Sequence, residues 1–364
     1  MMEKQNNLSN HDFLFLLDRL RQGRPLSREE WRRLIEGPDG EQDLCLRQTA
    51  GRQAAARFNK GIYIRGLIEI SSFCHNDCYY CGLRRSNRFA SRYRLTRDQI
   101  LDCCREGAAL GFSTFVLQGG EDDGQDDEWI AGVVRDIKNA FPSCAVTLSV
   151  GERSEAAYRM FRKAGADRYL LRHETRNALH YARLHPVEMS LSHRLDCLET
   201  LKRLGFQTGA GMMVGSPGQT TDCLIDDLEF LERLRPEMIG IGPFIPAEHT
   251  PFARECAGSV ALTLRLVALL RLRFPDALIP ATTALATLSP TGREDAILSG
   301  ANVVMPNLSP SSVRGKYSIY DHKAFSGSES AEALRLTEQQ LARIGYHVAY
   351  GRGDYEPDLQ KHKK

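Results

Sequence analysis

Three cysteines lie close together in the chain, at Cys74, Cys78 and Cys81, in a C-x3-C-x2-C pattern. Three thiolates at this spacing suit a [4Fe–4S] cluster, which takes one thiolate per iron and would keep its fourth iron open for an exogenous ligand. A zinc site would use a fourth Cys or His at similar spacing. His75 is nearby, but it lies between the ligand positions, where the loop would have to fold back. The pattern favours the cluster, with a zinc site and chance clustering as the alternatives.

A second pattern, Gln118-Gly119-Gly120-Glu121, follows an apolar run. Two adjacent glycines let the backbone approach a ligand closely, and the Glu121 carboxylate offers an acceptor for a cation. An ordinary turn between a strand and a helix is the alternative interpretation. We therefore treat the two glycines and the glutamate as candidate ligand-binding residues.

From about Tyr63, short apolar runs alternate with amphipathic helical stretches, and this predicts parallel strands joined by helical crossovers. Eight repeats favour an α/β fold of the closed (β/α)8 TIM-barrel type over an open sheet. Both patterns above then fall in loops after the carboxyl ends of strands, where such barrels hold their functional residues. The apolar runs are 63–73, 113–118, 144–149, 168–174, 207–214, 237–243, 278–283 and 301–305. The helical stretches lie near 97–109, 127–140, 153–164, 191–204, 222–234, 260–273, 291–298 and 329–344.

Residues 1–50 are predicted to form a separate N-terminal helical extension, and residues 51–364 the barrel with a C-terminal helix. The segment 12–20 has helical apolar spacing. Ser27 and Glu30 form the S-x-x-E pattern of a capping box for a helix that runs to Leu34. A linker of small and polar residues is expected between this helix and the barrel.

Composition excludes several classes of protein. Apolar residues make up 42% of the 364, so the chain can build a large core and is not disordered. A formal net charge of +2 gives no excess of positive charge that would indicate binding to nucleic acid or to an acidic membrane surface. No apolar run reaches the roughly 18 residues of a membrane span, and no signal-peptide core is present. We therefore expect a cytoplasmic protein with no nucleic-acid or membrane partner, whose scattered cysteines are reduced and mostly buried.

The cysteine pattern, with Tyr80 as the aromatic residue before the third cysteine, resembles the signature of the radical SAM superfamily. The resemblance implies that the open iron binds the amino and carboxylate groups of S-adenosylmethionine (SAM). An electron from the cluster would then cleave SAM to methionine and a 5′-deoxyadenosyl radical. It also implies that Gly119, Gly120 and Glu121 hold the methionine ammonium group.

The fourth apolar run carries an unusual set of charges, at Arg168, Arg172 and Glu174. Side chains alternate along a strand, so these three share one face with Leu170. Such a face is expected to line the barrel interior, where charges need partners or a ligand. One interpretation puts Glu174 on the ribose or amine of SAM and the arginines on an anionic substrate; the other is an internal ion pair. His173 points to the opposite face and is expected to be structural.

Two further residues are candidates for the SAM site. Arg194 lies at the start of the next helix, where related enzymes have an arginine that pairs with the methionine carboxylate. Met213 follows the small-residue fifth strand, where adenosine could pack against it. Core packing explains a methionine at that position equally well.

Most of the barrel is similar to the HydE family of [FeFe]-hydrogenase maturases. The resemblance implies a radical enzyme that acts in assembly of the di-iron cofactor of hydrogenase. Its substrate would be an organometallic iron–cysteine species with CO and cyanide, made by a tyrosine-cleaving radical SAM partner. The product would pass towards a GTP-binding scaffold protein, and ferredoxin or flavodoxin would supply the electron. The similar stretches are residues 81–85, 117–122, 170–175, 213–220, 239–246, 279–284 and 300–307.

The candidate substrate residues are those expected to line the barrel cavity. Arg168 and Arg172 suit an anionic complex. Hydrogen-bonding groups and a thioether are expected at strand ends, and two tyrosines match positions that line the cavity in the family. Exposed loop tyrosines without a role are the alternative for the last two. These further candidates are Gln118, Thr147, Thr282, Thr283, Met305, Tyr317 and Tyr320.

Three alternatives remain beside the maturase. A biotin-synthase-like enzyme needs a second cluster in the barrel, but the other cysteines fall in helical stretches or, like Cys144, at the wrong end of a strand. A methylornithine-synthase-like mutase uses the same barrel without a second cluster. A non-catalytic iron–sulfur carrier would need neither the G-G-E motif nor a charged lumen. Some HydE-family members bind a second cluster near the C-terminus, but no cysteine follows Cys256 here.

Overall fold

Short strands that are buried on both faces form the centre of the protein, as expected for parallel strands covered by helices. The structure is a computed structural model and describes residues 8–38, 40–323 and 331–357. The strands are β1 (Gly61–Ile64), β2 (Gly66–Ser71), β3 (Thr114–Gly119), β4 (Ala145–Ser149), β5 (Arg168–Leu170), β6 (Gln207–Ala210), β7 (Met213–Val214), β8 (Met238–Ile239), β9 (Gly242–Pro243), β10 (Val303–Val304) and β11 (His347–Ala349).

The strands close into a barrel. The order β2-β3-β4-β5-β6-β8 is parallel throughout. Two bridges, Met238↔Leu278 and Pro280↔Val303, carry the pairing on from β8 through a seventh strand position to β10. β10 pairs with β1, which runs directly into β2. The predicted (β/α)8 barrel is therefore confirmed.

Helices cover the outside of the barrel, and polar caps begin many of them. Ser27 and Glu30 form the predicted capping box, and Thr96 and Gln99 form another. Within the described ranges, no helix combines the length and apolar character needed to cross a membrane. The helices are α1 (Asn10–Arg21), α2 (Arg28–Glu36), α3 (Gly40–Arg57), α4 (Arg97–Ala109), α5 (Asp127–Ala140), α6 (Glu155–Ala164), α7 (Ala178–Leu184), α8 (Leu191–Arg203), α9 (Thr221–Leu234), α10 (Val260–Arg273), α11 (Thr283–Leu288), α12 (Gly292–Leu298), α13 (Ser311–Arg314) and α14 (Leu334–Arg343), with a 3-10 turn at Ala331–Ala333.

The N-terminal region consists of three helices. The predicted linker is wrong, because α3 occupies most of it and runs continuously across residue 50. Small residues give α3 a narrow face, and this face packs against α10 and α12. Gly51 permits the closest approach, since a Cβ there would overlap the backbone carbonyl of Leu298. The extension and the barrel thus meet within one helix.

The chain after β11 closes the amino-terminal end of the barrel, which we call its floor. β11 runs parallel to β1, and the next residues pass beneath the strands. Arg168 is fully buried there and donates from Nη2 to the carbonyl of Arg352 (2.7 Å) and to Asp354 Oδ1 (2.5 Å). Arg65 donates to the carbonyl of Gly353 (3.3 Å). The structure therefore favours the internal ion pair for Arg168, at the opposite end from the loops that follow the strands, and does not support a substrate role for it.

Candidate active site

The cysteine loop follows β2 and lies above the carboxyl ends of the strands. The backbone N–H of His75 donates to the carbonyl of Glu121 (2.8 Å), and that of Tyr79 donates to the carbonyl of Leu184 (3.0 Å). These bonds tie the loop to the segments that follow β3 and β5. The three thiols are thereby held at the mouth of the barrel.

Three charged side chains stiffen the cysteine loop. Asp77 accepts from Nε and Nη2 of Arg84 (2.8 and 2.6 Å), and this guanidinium holds the pKa of Asp77 well below its usual range. Sequence reasoning missed Arg92, because it stands among several arginines and no pattern distinguishes it. Its guanidinium donates to four backbone carbonyls, those of Ser72, Leu83, Arg84 and Asn87.

The G-G-E motif packs directly against the cysteine loop. A Cβ at Gly120 would overlap the carbonyl oxygen of Phe73 and lie 2.6 Å from the Cβ of Cys74, so the approach requires glycine. The Glu121 carboxylate lies 3.4 Å from His75 Nε2. Hydrogen bonds to Glu121 first, and then to Asp123, raise the pKa of His75 to about 9. The expected acceptor for a cation is therefore in place beside the thiols.

A chain of polar contacts continues around the mouth of the barrel. Arg194, in the first turn of α8, donates from Nε to Glu152 Oε1 (2.7 Å) and from Nη1 to the backbone carbonyl of Arg172 (3.0 Å). Arg172 Nη2 donates in turn to Glu174 Oε2 (2.8 Å). Glu174 has a φ of +64°, so the backbone bends there, beyond the end of β5. Arg172 and Glu174 thus meet just above the carboxyl end of that strand.

An apolar surface completes the mouth on the side of Tyr80 and Met213. Tyr80 Oη lies 3.2 Å from His185 Nε2. Aromatic and thioether groups beside the thiols offer a planar ring a surface to pack on. The buried cluster, with Tyr79 and Tyr80 packed against it, consists of Leu184, Met213, Phe244 and Phe252.

The three thiols fit an iron–sulfur cluster better than a single ion. Ligand atoms on one zinc ion lie within about 4 Å of one another. The sulfur atoms of the three cysteines do not all lie within 4.8 Å of one another, so they are spread more widely than a single ion requires. Burial raises the pKa of all three, and that of Cys81 to about 12. A bound cation is therefore needed to keep them as thiolates. A [4Fe–4S] cluster supplies the charge and suits the wider spacing.

Comparison with known proteins agrees with this site. Residues 68–231 match the Radical SAM superfamily. The [FeFe] hydrogenase maturase subunit HydE of Thermotoga maritima is 49% identical over 284 residues, which cover 78% of this chain and 81% of that protein. The chain belongs to the HydE family.

More distant relatives share the barrel. The 3-methylornithine synthase of Methanosarcina acetivorans is 27% identical over 79% of this chain and 81% of its own length. The crystal structure of methylornithine synthase (PylB) superposes with a TM-score of 0.82 at 26% identity, and the match covers 92% of this chain and 97% of that one. The much higher identity to HydE favours the maturase over the mutase.

Five cysteines outside the loop, among the described residues of this HydE-family chain, are not placed for the second cluster of a biotin-synthase-like enzyme. Cys103 and Cys104 lie in α4, Cys197 in α8 and Cys223 in α9, while Cys144 precedes β4 at the floor end. All five are buried. None of these five positions lies on a strand of the barrel.

The candidate substrate residues fall at three depths of the barrel, and the first group lies just below the mouth. Gln118 Nε2 donates to Tyr317 Oη (3.4 Å), and Tyr317 is buried rather than exposed. Lys323 lies over the Tyr317 ring, 4.8 Å from its centroid, and pairs with Glu69. Sequence reasoning missed Glu69, although a single carboxylate in the otherwise apolar run 66–70 is a usable signal.

The second group lies near α11. The hydroxyl of Tyr320 hydrogen-bonds to Thr287, and the pKa of Tyr320 is raised, chiefly by burial, in a site that Arg172 also faces. Thr282 caps α11, which begins at Thr283. The Oγ1 of Thr282 and the Nε of Arg172 are buried and have no hydrogen-bond partner. Buried polar atoms are usually hydrogen-bonded, so these two are candidates to bind a polar group of a ligand.

The third group lies deeper. Thr147 and Met305 line an internal cavity of about 20 Å³ together with Arg65, a volume that holds a single water molecule. The Oγ1 of Thr147 is also buried without a partner. The structure thus brings the SAM candidates together at the mouth, spreads the substrate candidates below it, and leaves Arg168 at the floor.

Proposed function

We propose that this chain is a hydrogenase maturase that cleaves SAM at a [4Fe–4S] cluster held by Cys74, Cys78 and Cys81. The observation that carries the proposal is the three-thiol loop seated on Gly120 at the mouth of a closed barrel. When bound, the cluster and SAM would supply a 5′-deoxyadenosyl radical, formed together with methionine by the one-electron reduction of SAM. The identity of 49% to a HydE maturase supports a role in assembly of the di-iron cofactor of [FeFe]-hydrogenase.

Each residue at the mouth of the barrel binds one part of SAM in this proposal. Glu121 accepts a hydrogen bond from the methionine ammonium group, in place of His75. Arg194, oriented by Glu152, pairs with the methionine carboxylate, and Glu174 accepts from a ribose hydroxyl. Met213 and the tyrosines of the cysteine loop pack against the adenine, and the surrounding barrel excludes water.

The substrate, in this proposal, is an anionic organometallic iron–cysteine species. Arg172 faces it with a guanidinium whose Nε has no partner in the protein, and charge-assisted hydrogen bonds to a carboxylate or cyanide satisfy that group. Thr282 and Thr147 offer hydroxyls at two depths. Gln118, Thr283, Met305, Tyr317 and Tyr320 are the further residues that we propose to face the substrate.

The partners follow from the same assignment. A tyrosine-cleaving radical SAM enzyme supplies the substrate, and a GTP-binding scaffold protein receives the product. Ferredoxin or flavodoxin supplies the electron. These reactions place the chain in the cytoplasm.

The experiment that tests the proposal is electron paramagnetic resonance of the anaerobically reconstituted, reduced protein with and without SAM. We expect a [4Fe–4S]⁺ signal whose g-values shift when SAM binds, and formation of 5′-deoxyadenosine. Cys78→Ala should abolish both, whereas Cys223→Ala, a buried cysteine of α9, should retain both. A signal that ignores SAM would instead indicate an iron–sulfur carrier.

The maturase role needs a second assay. Purified hydrogenase apoprotein is incubated with the two partner maturases, with or without this chain, and its hydrogen evolution is measured. We expect activity only when the chain is present. SAM cleavage without any activation of hydrogenase would leave a radical SAM enzyme of another function, such as a methylornithine-synthase-like mutase.

A further inference from the structure

A second set of metal-ligating side chains lies beside Arg194, outside the cysteine loop. His193 and Cys197 are four residues apart on α8, so they project from the same side of the helix. Glu152, which follows β4, faces them. Among the described residues, these three are the one group of metal-ligating side chains whose ligand atoms all lie within 4.8 Å of one another.

The distances match those between ligands of one tetrahedral ion. His193 Nε2 lies 3.5 Å from Glu152 Oε2 and 3.7 Å from Cys197 Sγ. Bond lengths of about 2.0 Å to nitrogen or oxygen and about 2.3 Å to sulfur give tetrahedral edges of roughly 3.3 to 3.6 Å. The two distances from His193 therefore already match those of one ion, and the third, between Glu152 and Cys197, is below 4.8 Å.

The donor set selects the class of ion. A thiolate, a carboxylate and a neutral imidazole together carry two negative charges, which neutralise one divalent cation. Mixed sulfur, nitrogen and oxygen donors suit zinc, whereas magnesium and calcium are bound by oxygen ligands. His193 is 61% exposed, so a fourth position on the ion opens to solvent.

Neighbouring residues already orient two of the ligands. Arg194 Nε holds Glu152 by its other oxygen, Oε1, at 2.7 Å, so Oε2 faces His193. Cys197 is buried, which raises its pKa, and it hydrogen-bonds to the hydroxyl of Tyr158, which opposes that rise and fixes the direction of the sulfur. Outer partners of this kind orient the ligands of known metal sites and tune their affinity.

We infer that Glu152, His193 and Cys197 form a zinc-type metal site, separate from the cysteine loop, that binds one divalent ion with a solvent molecule as the fourth ligand. The inference stands on these three side chains and not on the proposed function. Since Arg194 shares Glu152, an ion at this site also fixes the carboxylate against which that arginine rests.

The test uses the full chain with its iron–sulfur cluster in place, so that Cys74, Cys78 and Cys81 are occupied. Zinc is titrated anaerobically by calorimetry, and the bound zinc is examined by zinc K-edge X-ray absorption, which iron does not obscure. We expect one zinc per chain, with one sulfur at about 2.3 Å and nitrogen or oxygen neighbours at about 2.0 Å. The iron content should stay unchanged.

Variants connect the signal to the three residues. His193→Ala, at an exposed position, and Cys197→Ala should each weaken zinc binding at least about tenfold, the smallest effect usual for loss of a supporting residue at a metal site. Cys197→Ala should also remove the sulfur from the absorption spectrum. The matched controls are His249→Ala, another exposed histidine, and Cys223→Ala, another buried helical cysteine, and both should bind zinc like the parent.

Three results would overturn the inference. The first is the absence of zinc binding while the cluster is intact. The second is binding that appears only as iron is lost, which would indicate that zinc replaces the cluster. The third is equal affinity in the parent, His193→Ala and Cys197→Ala.

Discussion

Gly120 lies so close to Cys74 that a Cβ on the glycine would be 2.6 Å from the Cβ of the cysteine. The same atom would overlap the carbonyl oxygen of Phe73. Both neighbours belong to the start of the cysteine loop, and one of them is backbone that cannot rotate away. The glycine therefore sets the height of the first thiol above the barrel.

Gly120→Ala is expected to displace the cysteine loop and to lower cluster occupancy. The measurement is iron and acid-labile sulfide per chain after reconstitution, together with 5′-deoxyadenosine formation. Gly240→Ala is the matched control, because the nearest atoms to its added Cβ lie 3.9 Å away, and it should load a full cluster. Full iron content and normal SAM cleavage in Gly120→Ala would show that the loop can shift without consequence.

Arg172→Ala is expected to impair turnover of the organometallic substrate more than SAM binding. The guanidinium is lost, but Arg194 bonds to the backbone carbonyl of Arg172, and that contact survives the substitution. Loss of one charge-assisted hydrogen bond, about 1.5 to 3 kcal/mol, predicts a fall in kcat/KM of roughly tenfold to a hundredfold. SAM affinity and substrate turnover are measured separately. A fall in SAM affinity alone would assign Arg172 to the cofactor site.

Asp354→Asn is expected to destabilise the barrel floor. The substitution removes the carboxylate that faces the fully buried Arg168 guanidinium, and an unpaired buried charge costs about 3 kcal/mol or more. Urea unfolding, followed by circular dichroism, measures the loss. Adding Arg168→Met to Asp354→Asn should restore part of the stability, because no buried charge then remains unpaired.

An exposed ion pair provides the control for this effect. Asp102 and Arg105 pair on α4 with both side chains about 60% exposed, and Asp102→Asn should cost less than about 1 kcal/mol. If Asp354→Asn cost no more than Asp102→Asn, the pair at the floor would not contribute to holding the barrel together.

His180 is expected to make stability fall in acid. Burial lowers the pKa of His180 to about 4, from about 6.5 in the unfolded chain. Between these values the unfolded chain takes up a proton that the folded chain does not, so the free energy of unfolding decreases as pH falls from about 6.5 to about 4. Below about 4 this contribution levels off, and above about 6.5 it is fully present.

Urea midpoints across this pH range, in the cluster-free chain, measure the slope. His180→Gln should flatten it, and the remaining slope in the same direction includes His185, whose pKa burial lowers to about 3. His11→Gln, at a histidine that is 93% exposed, should retain the slope of the parent. Identical slopes in the parent and His180→Gln would contradict the assignment.

The sequence is most informative where local pattern and chemistry coincide. The alternation of apolar runs and amphipathic stretches predicts the barrel, because strand and helix periods differ. The three cysteines and the G-G-E motif fall at the carboxyl ends of β2 and β3, as their spacing to the apolar runs requires. The pairing of Gly120 with the cysteine loop then follows from two adjacent loops on neighbouring strands.

Long-range contacts are what the sequence does not predict. Arg168 looks like Arg172 in the sequence, yet Arg168 begins β5 at the floor of the barrel, whereas Arg172 follows the carboxyl end of that strand at the mouth. The carboxylate that pairs with Arg168 belongs to Asp354, which is 186 positions away in the sequence. Helix α3 was missed because its small and polar residues carry little apolar periodicity.

The barrel is closed where its first strand meets its last strands, and this affects the order in which strands pair during folding. β1 lies between β10 and β11, and the floor contact of Arg65 joins residues 288 positions apart. Contacts this distant in the chain form slowly, because a long loop must close first. β1 leads straight into β2 and from there into the cysteine loop. β2 pairs on one side with β3, which is near it in the sequence, but on its other side it bridges Asn307. The strand that presents the thiols therefore gains its second neighbour only after the last strand of the barrel has been synthesised.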